Sequence, residues 1–165
     1  MNIHTIILAA GAGSRMKSNK AKVLQRIGGM SMLQRVLKTT EQLNSKSTVV
    51  LGHDKEGVLK HLQNIRGSIS TVIQANQLGT ADAVKSAMPN TKSDETILVL
   101  YGDVPLVSAR SLQELIDQAA GGFSILTTHL DNPFGYGRVI IDANNSATAI
   151  VEEKDATDDQ KLVKE

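Results

Sequence analysis

The chain has 165 residues, 41% of them apolar and 21% charged, which is enough for one buried core under an ordinary polar surface. Eighteen Lys and Arg against seventeen Asp and Glu leave a net charge of +1, too little for the footprint of a nucleic-acid binder, and the absence of cysteine excludes disulfides, thiolate catalysis and Cys-ligated zinc. Two Phe, two Tyr and no Trp argue against base-stacking RNA modules and Trp-built carbohydrate platforms; no apolar run approaches the roughly 20 residues of a membrane helix, and no basic segment precedes the first apolar stretch, so a cytoplasmic protein with no membrane partner is expected.

Residues 4–10 (HTIILAA) read as a first strand, and a basic, glycine-bearing loop follows over 11–24 (GAGSRMKSNKAKVL). Ser31 suits the N-cap of a helix with Met32, Leu33, Val36, Leu37 and Leu43 on one face. Residues 47–52 (STVVLG) form a second strand. Asp54 then opens a helix carrying Val58, Leu59, Leu62 and Ile65 at helical spacing. Residues 70–75 (STVIQA) read as a third strand and 79–88 (GTADAVKSAM) as a third helix that Pro89 stops. Residues 96–100 (TILVL) are continuous and apolar, as expected of a strand buried on both faces. A helix starting at Ser108 or Ser111 and ended by Gly121-Gly122 comes next, then strands over 123–130, 137–142 and 147–152. Residues 155–165 (DATDDQKLVKE) read as a surface helix or a frayed tail.

Regular alternation of strand and helix over the first 120 residues or so predicts an α/β fold. Its sheet is mostly parallel, with helices on both faces and antiparallel additions near the C-terminus. In such folds ligands bind beyond the carboxyl ends of the strands. Gly11 and Gly13 let backbone N–H groups approach phosphate oxygens, and Arg15, Lys17, Lys20 and Lys22 gather cations beside them. A dinucleotide fingerprint fails because Met16 holds the third glycine position, and a Walker A loop fails because no Gly-Lys-Ser/Thr follows. The remaining readings of this loop are a triphosphate cradle or a glycine loop with solvated lysines.

Tyr101-Gly102-Asp103 follows the apolar strand directly. Asp103 is placed either to meet a magnesium ion held by nucleotide phosphates or to cap the turn before Ser108. In Gln74-Ala75-Asn76-Gln77-Leu78-Gly79-Thr80, a Gln amide can read a base edge, and the Gly79 and Thr80 N–H groups lie at a helix N-terminus. The same string is also an ordinary strand-to-helix loop capped by Thr80. Gly135-Tyr136-Gly137-Arg138, with Glu152 further on, fits either a sugar contact or a hairpin turn with an exposed Glu. His4, His53, His61 and His129 show no ligand spacing and read as structural or surface residues.

Leu8-Ala9-Ala10-Gly11-Ala12-Gly13-Ser14-Arg15-Met16, with Lys22-Val23-Leu24 downstream, resembles the signature loop of nucleotide-sugar pyrophosphorylases. With residues 74–80, 100–106 (LYGDVPL), 135–138 and 151–157 (VEEKDAT), the resemblance narrows. It points to the N-terminal uridylyltransferase domain of the bacterial bifunctional N-acetylglucosamine-1-phosphate uridyltransferase / glucosamine-1-phosphate acetyltransferase. The likeness runs from Ile6 to the last residues and implies a Rossmann-like nucleotidyltransferase fold.

It further implies a Mg2+-dependent reaction of UTP with N-acetylglucosamine-1-phosphate, giving UDP-N-acetylglucosamine and pyrophosphate for cell-wall (peptidoglycan) and lipopolysaccharide precursors. By the resemblance, Arg15 and Lys22 face phosphate oxygens and act catalytically, and Asp103 binds the metal. Leu8, Ala9, Ala10, Gly11, Gly13, Gln74, Gln77, Gly79, Thr80, Tyr101 and Gly102 contact the nucleotide. Gly137 and Glu152 contact the sugar. Ala12 stands where another basic residue is common, and Lys20-Ala21-Lys22 replaces Leu-Pro-Lys; neither removes a group the chemistry needs. In the family, further sugar contacts and a second metal ligand, an Asn, lie in a segment beyond the position of Glu165. A C-terminal β-helix there carries the acetyltransferase and builds a homotrimer. The expectation is therefore that residues 1–165 are the nucleotide-binding part of a longer enzyme. The alternatives are a fragment that binds nucleotide without turnover or a nucleotidyltransferase with another acceptor.

Overall fold

A computed structural model describes residues 2–11, 20–65, 67–76, 78–144 and 146–165. Two compact units divide the chain, Met1–Ile116 and Asp117–Glu165. In the first, β1 (Ile3–Ala9) leads to a 3-10 turn (Lys22–Leu24), a small antiparallel hairpin of β2 (Arg26–Ile27) and β3 (Met30–Ser31), and helix α1 (Met32–Gln42). Then come β4 (Lys46–Leu51), α2 (Lys55–Leu62), β5 (Ile69–Ile73), α3 (Thr80–Ala87), β6 (Thr96–Tyr101) and α4 (Ala109–Ala119). The four long strands form one parallel sheet in the order β5-β4-β1-β6.

Side chains alternate across the two faces of this sheet, and each face has its own helices. Ile7 and Ala9 of β1 and Val49 and Leu51 of β4 pack with Leu33, Val36 and Leu37 of α1 and Val58 and Leu62 of α2. Ile6 and Val50 point the other way, against Ala83 and Ala87 of α3. Covered on both sides, β1 and β4 carry consecutive apolar residues over 6–9 and 49–51. Leu98 of β6 packs with Leu43, Leu112 and Ile116.

The helix starts follow local chemistry. Ser31 accepts the Gln34 N–H at 3.0 Å, and Asp54, in the left-handed region at φ +52°, accepts the Gly57 N–H at 3.2 Å. Ser108 accepts the Ser111 N–H at 3.0 Å ahead of α4. Buried His4 lies 2.8 Å from Thr48 Oγ1 and 3.0 Å from Glu95 Oε2 through its two ring nitrogens, so neither is left unpaired in the sheet.

The second unit holds the antiparallel pair β7 (Arg138–Ile141) and β8 (Ala147–Val151) and the short helix α5 (Asp158–Lys161). Thr157 and Gln160 cap α5 reciprocally. The Val139 N–H donates to the Glu165 carbonyl at 2.8 Å and the Leu130 N–H to the Lys164 carbonyl at 3.0 Å. Residues 155–165 are thus a capped helical turn and a hydrogen-bonded extension, with no frayed tail.

Two expectations are corrected. β6 is an edge of the four-stranded sheet and is open on one face: Leu98 is buried, but Val99 is 38% and Tyr101 51% exposed. Residues 123–130 form no strand; their apolar residues lack a laddered partner among the described residues, and Phe123 and Leu126 are exposed. Pro89 stops α3 as expected, the helix ending at Ala87. It lies in a 3-10 turn, Met88–Asn90, where its fixed φ and missing N–H are tolerated.

Candidate functional site

Because the four long strands are parallel, their carboxyl ends share one edge of the sheet. Ala9 is in register with Leu51, Leu8 with Tyr101, and Leu51 with Ile73. Just past the ends, the chain closes around the tip of β1. The Gly102 N–H donates to the Leu8 carbonyl at 2.9 Å, the His53 N–H to the Ala10 carbonyl at 3.1 Å, and the Gln74 N–H to the Leu51 carbonyl at 2.8 Å.

Two glycines make this close approach possible. A Cβ on Gly52 would lie 2.7 Å from both the Cβ and the carbonyl oxygen of Ala10, and one on Gly102 would lie 3.1 Å from the Leu8 carbonyl. Ala9 and Ala10 are buried, so their side chains are core and any contact they make with a ligand uses the main chain. Gly11 is exposed beyond them.

Lys22 reaches this edge from its 3-10 turn. Its Nζ donates to Asp103 Oδ2 at 2.7 Å, and the side chains are 40% and 30% exposed. The sequence assigns these two residues separately, one to phosphate and one to metal; the structure places them side by side. A cation and a carboxylate, partly open to solvent, therefore meet where a polyanion could be held. The turn carrying Lys22 is itself tethered: the Ala21 N–H donates to Asp54 Oδ2 at 3.0 Å, while Oδ1 of the same carboxylate caps α2. Asp54 also lines, with Gly52, His53, Ile73, Gln74 and Ala75, a cleft of about 570 Å3 at the ends of β4 and β5.

Gln74 is buried, and its side-chain amide donates to the Gly79 carbonyl at 3.1 Å and to Asp82 Oδ2 at 2.7 Å. Gly79 adopts φ +107°, a conformation suited to glycine, directly before the first turn of α3, where Thr80 is the first helical residue. The structure thus joins Gln74, Gly79 and Thr80 in one local arrangement.

In the second unit the hairpin brings Gly137 and Glu152 together: a Cβ on Gly137 would lie 3.8 Å from Glu152 Oε2. Beside them the guanidinium of buried Arg138 donates to Glu153 Oε2 at 2.8 Å and to the Tyr136 carbonyl. The Gly135 N–H also donates to Glu153, at 3.1 Å. Arg138, first, and then the Gly135 N–H hold the Glu153 carboxyl below the usual carboxylate range.

Of the predicted residues, Gly13, Arg15 and Gln77 lie outside the described residues. Leu8, Ala9, Ala10, Gly11, Lys22, Gln74, Tyr101, Gly102 and Asp103 lie at the strand ends of the first unit, with Gly79 and Thr80 reached through Gln74. Sequence reasoning misses Asp82 and Glu153 and reads Asp54 only as a helix start. An acidic residue in the first turn of the helix after a Gln-bearing strand is the available signal for Asp82. Nothing in the sequence singles out Glu153 over Glu152.

Among solved structures, a UDP-glucose pyrophosphorylase complexed with UDP-glucose superposes with a TM-score of 0.74 at 16% identity, covering 99% of this chain and 73% of that one. HddC from Yersinia pseudotuberculosis does so with a TM-score of 0.71 at 20% identity, covering 92% and 69%. These likenesses establish the fold. The Bifunctional protein GlmU of Neisseria meningitidis serogroup C (strain 053442) is 48% identical over 164 residues, which are 99% of this chain and 35% of that protein. The chain therefore spans about a third of the length of the curated relatives it matches. Residues 5–157 match the family described as the MobA-like NTP transferase domain, and with the parallel sheet and the Lys22–Asp103 pair at its carboxyl edge, the chain belongs to that family.

Proposed function

We propose that this chain carries the nucleotide-binding part of an enzyme that forms UDP-N-acetylglucosamine and pyrophosphate from UTP and N-acetylglucosamine-1-phosphate, in the cytoplasm, for cell-envelope precursors. A phosphate oxygen of the sugar phosphate attacks the α-phosphorus in line; the bond from that phosphorus to the β-phosphate oxygen breaks, and pyrophosphate leaves with its electron pair. No side chain needs to become a nucleophile, so the protein's work is positioning and charge neutralisation. The observation that carries this reading is the Lys22–Asp103 pair at the shared strand edge, 2.7 Å apart and partly open to solvent. In this reading Lys22, with Arg15, holds phosphate oxygens, and Gly137 and Glu152 hold the sugar.

Among the described residues no group of three or more His, Asp or Glu could hold a metal unaided. Asp103 does fit a magnesium ion bound mainly by phosphates and water, which takes only one or two carboxylates. When bound, such an ion offsets negative charge on the phosphates. Among the described residues no helix is long and apolar enough to cross a membrane. Replacing Lys22 by Ala or Asp103 by Asn should each lower turnover at least about 100-fold while leaving the thermal unfolding midpoint close to that of the unchanged protein. Near-normal turnover in either variant contradicts a catalytic role for Lys22 or a metal-binding role for Asp103.

A further inference from the structure

Gln74 carries an amide whose two ends are chemically opposite: two N–H donors on Nε2 and a lone-pair acceptor on Oε1. Its backbone is pinned to β4 through the Leu51 carbonyl at 2.8 Å, and its side chain is buried. Two acceptors stand at the Nε2 end, Asp82 Oδ2 at 2.7 Å and the Gly79 carbonyl at 3.1 Å. They use both amide hydrogens. Turning the amide over would set Oε1 against a carboxylate and a carbonyl and break both bonds, one of them to a charged group. That disfavours the flipped state at least about a hundredfold. Oε1 is the end of the amide that these bonds leave for another partner, and Gln74 lines the cleft with Gly52, His53 and Ala75.

We propose that Asp82 is a specificity-determining positioning residue: by holding both hydrogens of the Gln74 amide in place together with the Gly79 carbonyl, it fixes the amide oxygen as the group offered to the ligand, selecting a pyrimidine that bears a ring N–H. The proposal rests on the nucleotide reading of the site. A uracil ring carries a hydrogen on N3 and can donate it to a fixed acceptor. A cytosine ring has a lone pair at N3, which would face the oxygen lone pairs of Gln74. Asp82 never touches the base; it denies the amide the rotation that would accommodate both rings. A site built to pair one pattern rejects the other because a buried polar group is left unmatched.

The test compares UTP and CTP binding, each with Mg2+, by titration calorimetry in the unchanged protein and in Asp82→Asn and Asp82→Ala. Asn keeps the shape of Asp but offers a donor as readily as an acceptor, so it no longer selects one orientation of the amide; Ala removes the Asp82 bond, and in both variants only the Gly79 carbonyl still favours the original orientation. The ratio of UTP to CTP affinity should fall about tenfold in both variants, the worth of one hydrogen bond, while affinity for inorganic triphosphate stays unchanged. A ratio that stays constant in both variants overturns the proposal. If UTP and triphosphate affinities drop together at constant ratio, Asp82 has only a structural role, and the proposal is likewise overturned. If the unchanged protein binds neither nucleotide, the nucleotide reading falls, and this inference with it.

Discussion

His61, in α2, lies with Nε2 2.8 Å from Ser31 Oγ, the oxygen that also caps α1. A neutral ring accepts the serine hydroxyl hydrogen there and leaves the oxygen free to take the Gln34 N–H. Burial, first, and the nearby charges of Lys20 and Arg26 hold the His61 pKa below its ordinary value of 6.5. Since the unfolded chain binds the proton more readily, the contribution of His61 to stability is fully present above pH 6.5. It is lost as the pH falls through the lower folded value. In thermal unfolding between about pH 8 and pH 5, His61→Gln should therefore lose less stability on acidification than the unchanged protein. Equal slopes in the two proteins would show that His61 contributes nothing to the pH dependence of stability. The lack of ligand spacing among the histidines is legible in the sequence, but the link from His61 to a helix cap is not, because it joins residues thirty positions apart.

The elements of the first unit show why much of the fold can be read from the sequence. β1 and β4 are covered on both faces and so carry consecutive apolar residues over 6–9 and 49–51, and Ser31 and Asp54 cap helices through contacts three residues away. Such signals are local. Whether an apolar run is an interior strand, an edge strand or no strand depends on what pairs with it across the sheet, which is why the pattern alone misplaces β6 and residues 123–130. The glycines at the strand ends fall between these cases. Gly102 is visible beside Asp103, but the need for Gly52 appears only when β4 is laid against β1. Gly52→Ala would press a methyl group to 2.7 Å from the Ala10 Cβ and carbonyl. It should lower unfolding free energy by about 1–3 kcal/mol in urea titrations, as overpacking does. Unchanged stability would mean that the two strand ends can part enough to admit a methyl group at no cost.

At the scale of the whole molecule, the predicted residues fall into two sets, each gathered by its own unit. The parallel sheet brings Lys22, Asp103, Gly102 and Gln74 to one edge from positions as far apart as 22 and 103. That convergence is readable because parallel strands place all their carboxyl ends together. The second unit gathers Gly137 and Glu152 around the Arg138–Glu153 pair, and there the sequence shows the ligand-facing candidates but not the ion pair that holds their backbone. In the proposed function both sets serve one reaction, uridylyl transfer to a sugar phosphate. The direct measurement is pyrophosphate released on incubation with Mg2+, UTP and N-acetylglucosamine-1-phosphate. Release that requires both substrates, and that falls sharply when CTP or GTP replaces UTP, is the predicted result. No release with both present, or equal release with CTP or GTP, would contradict it.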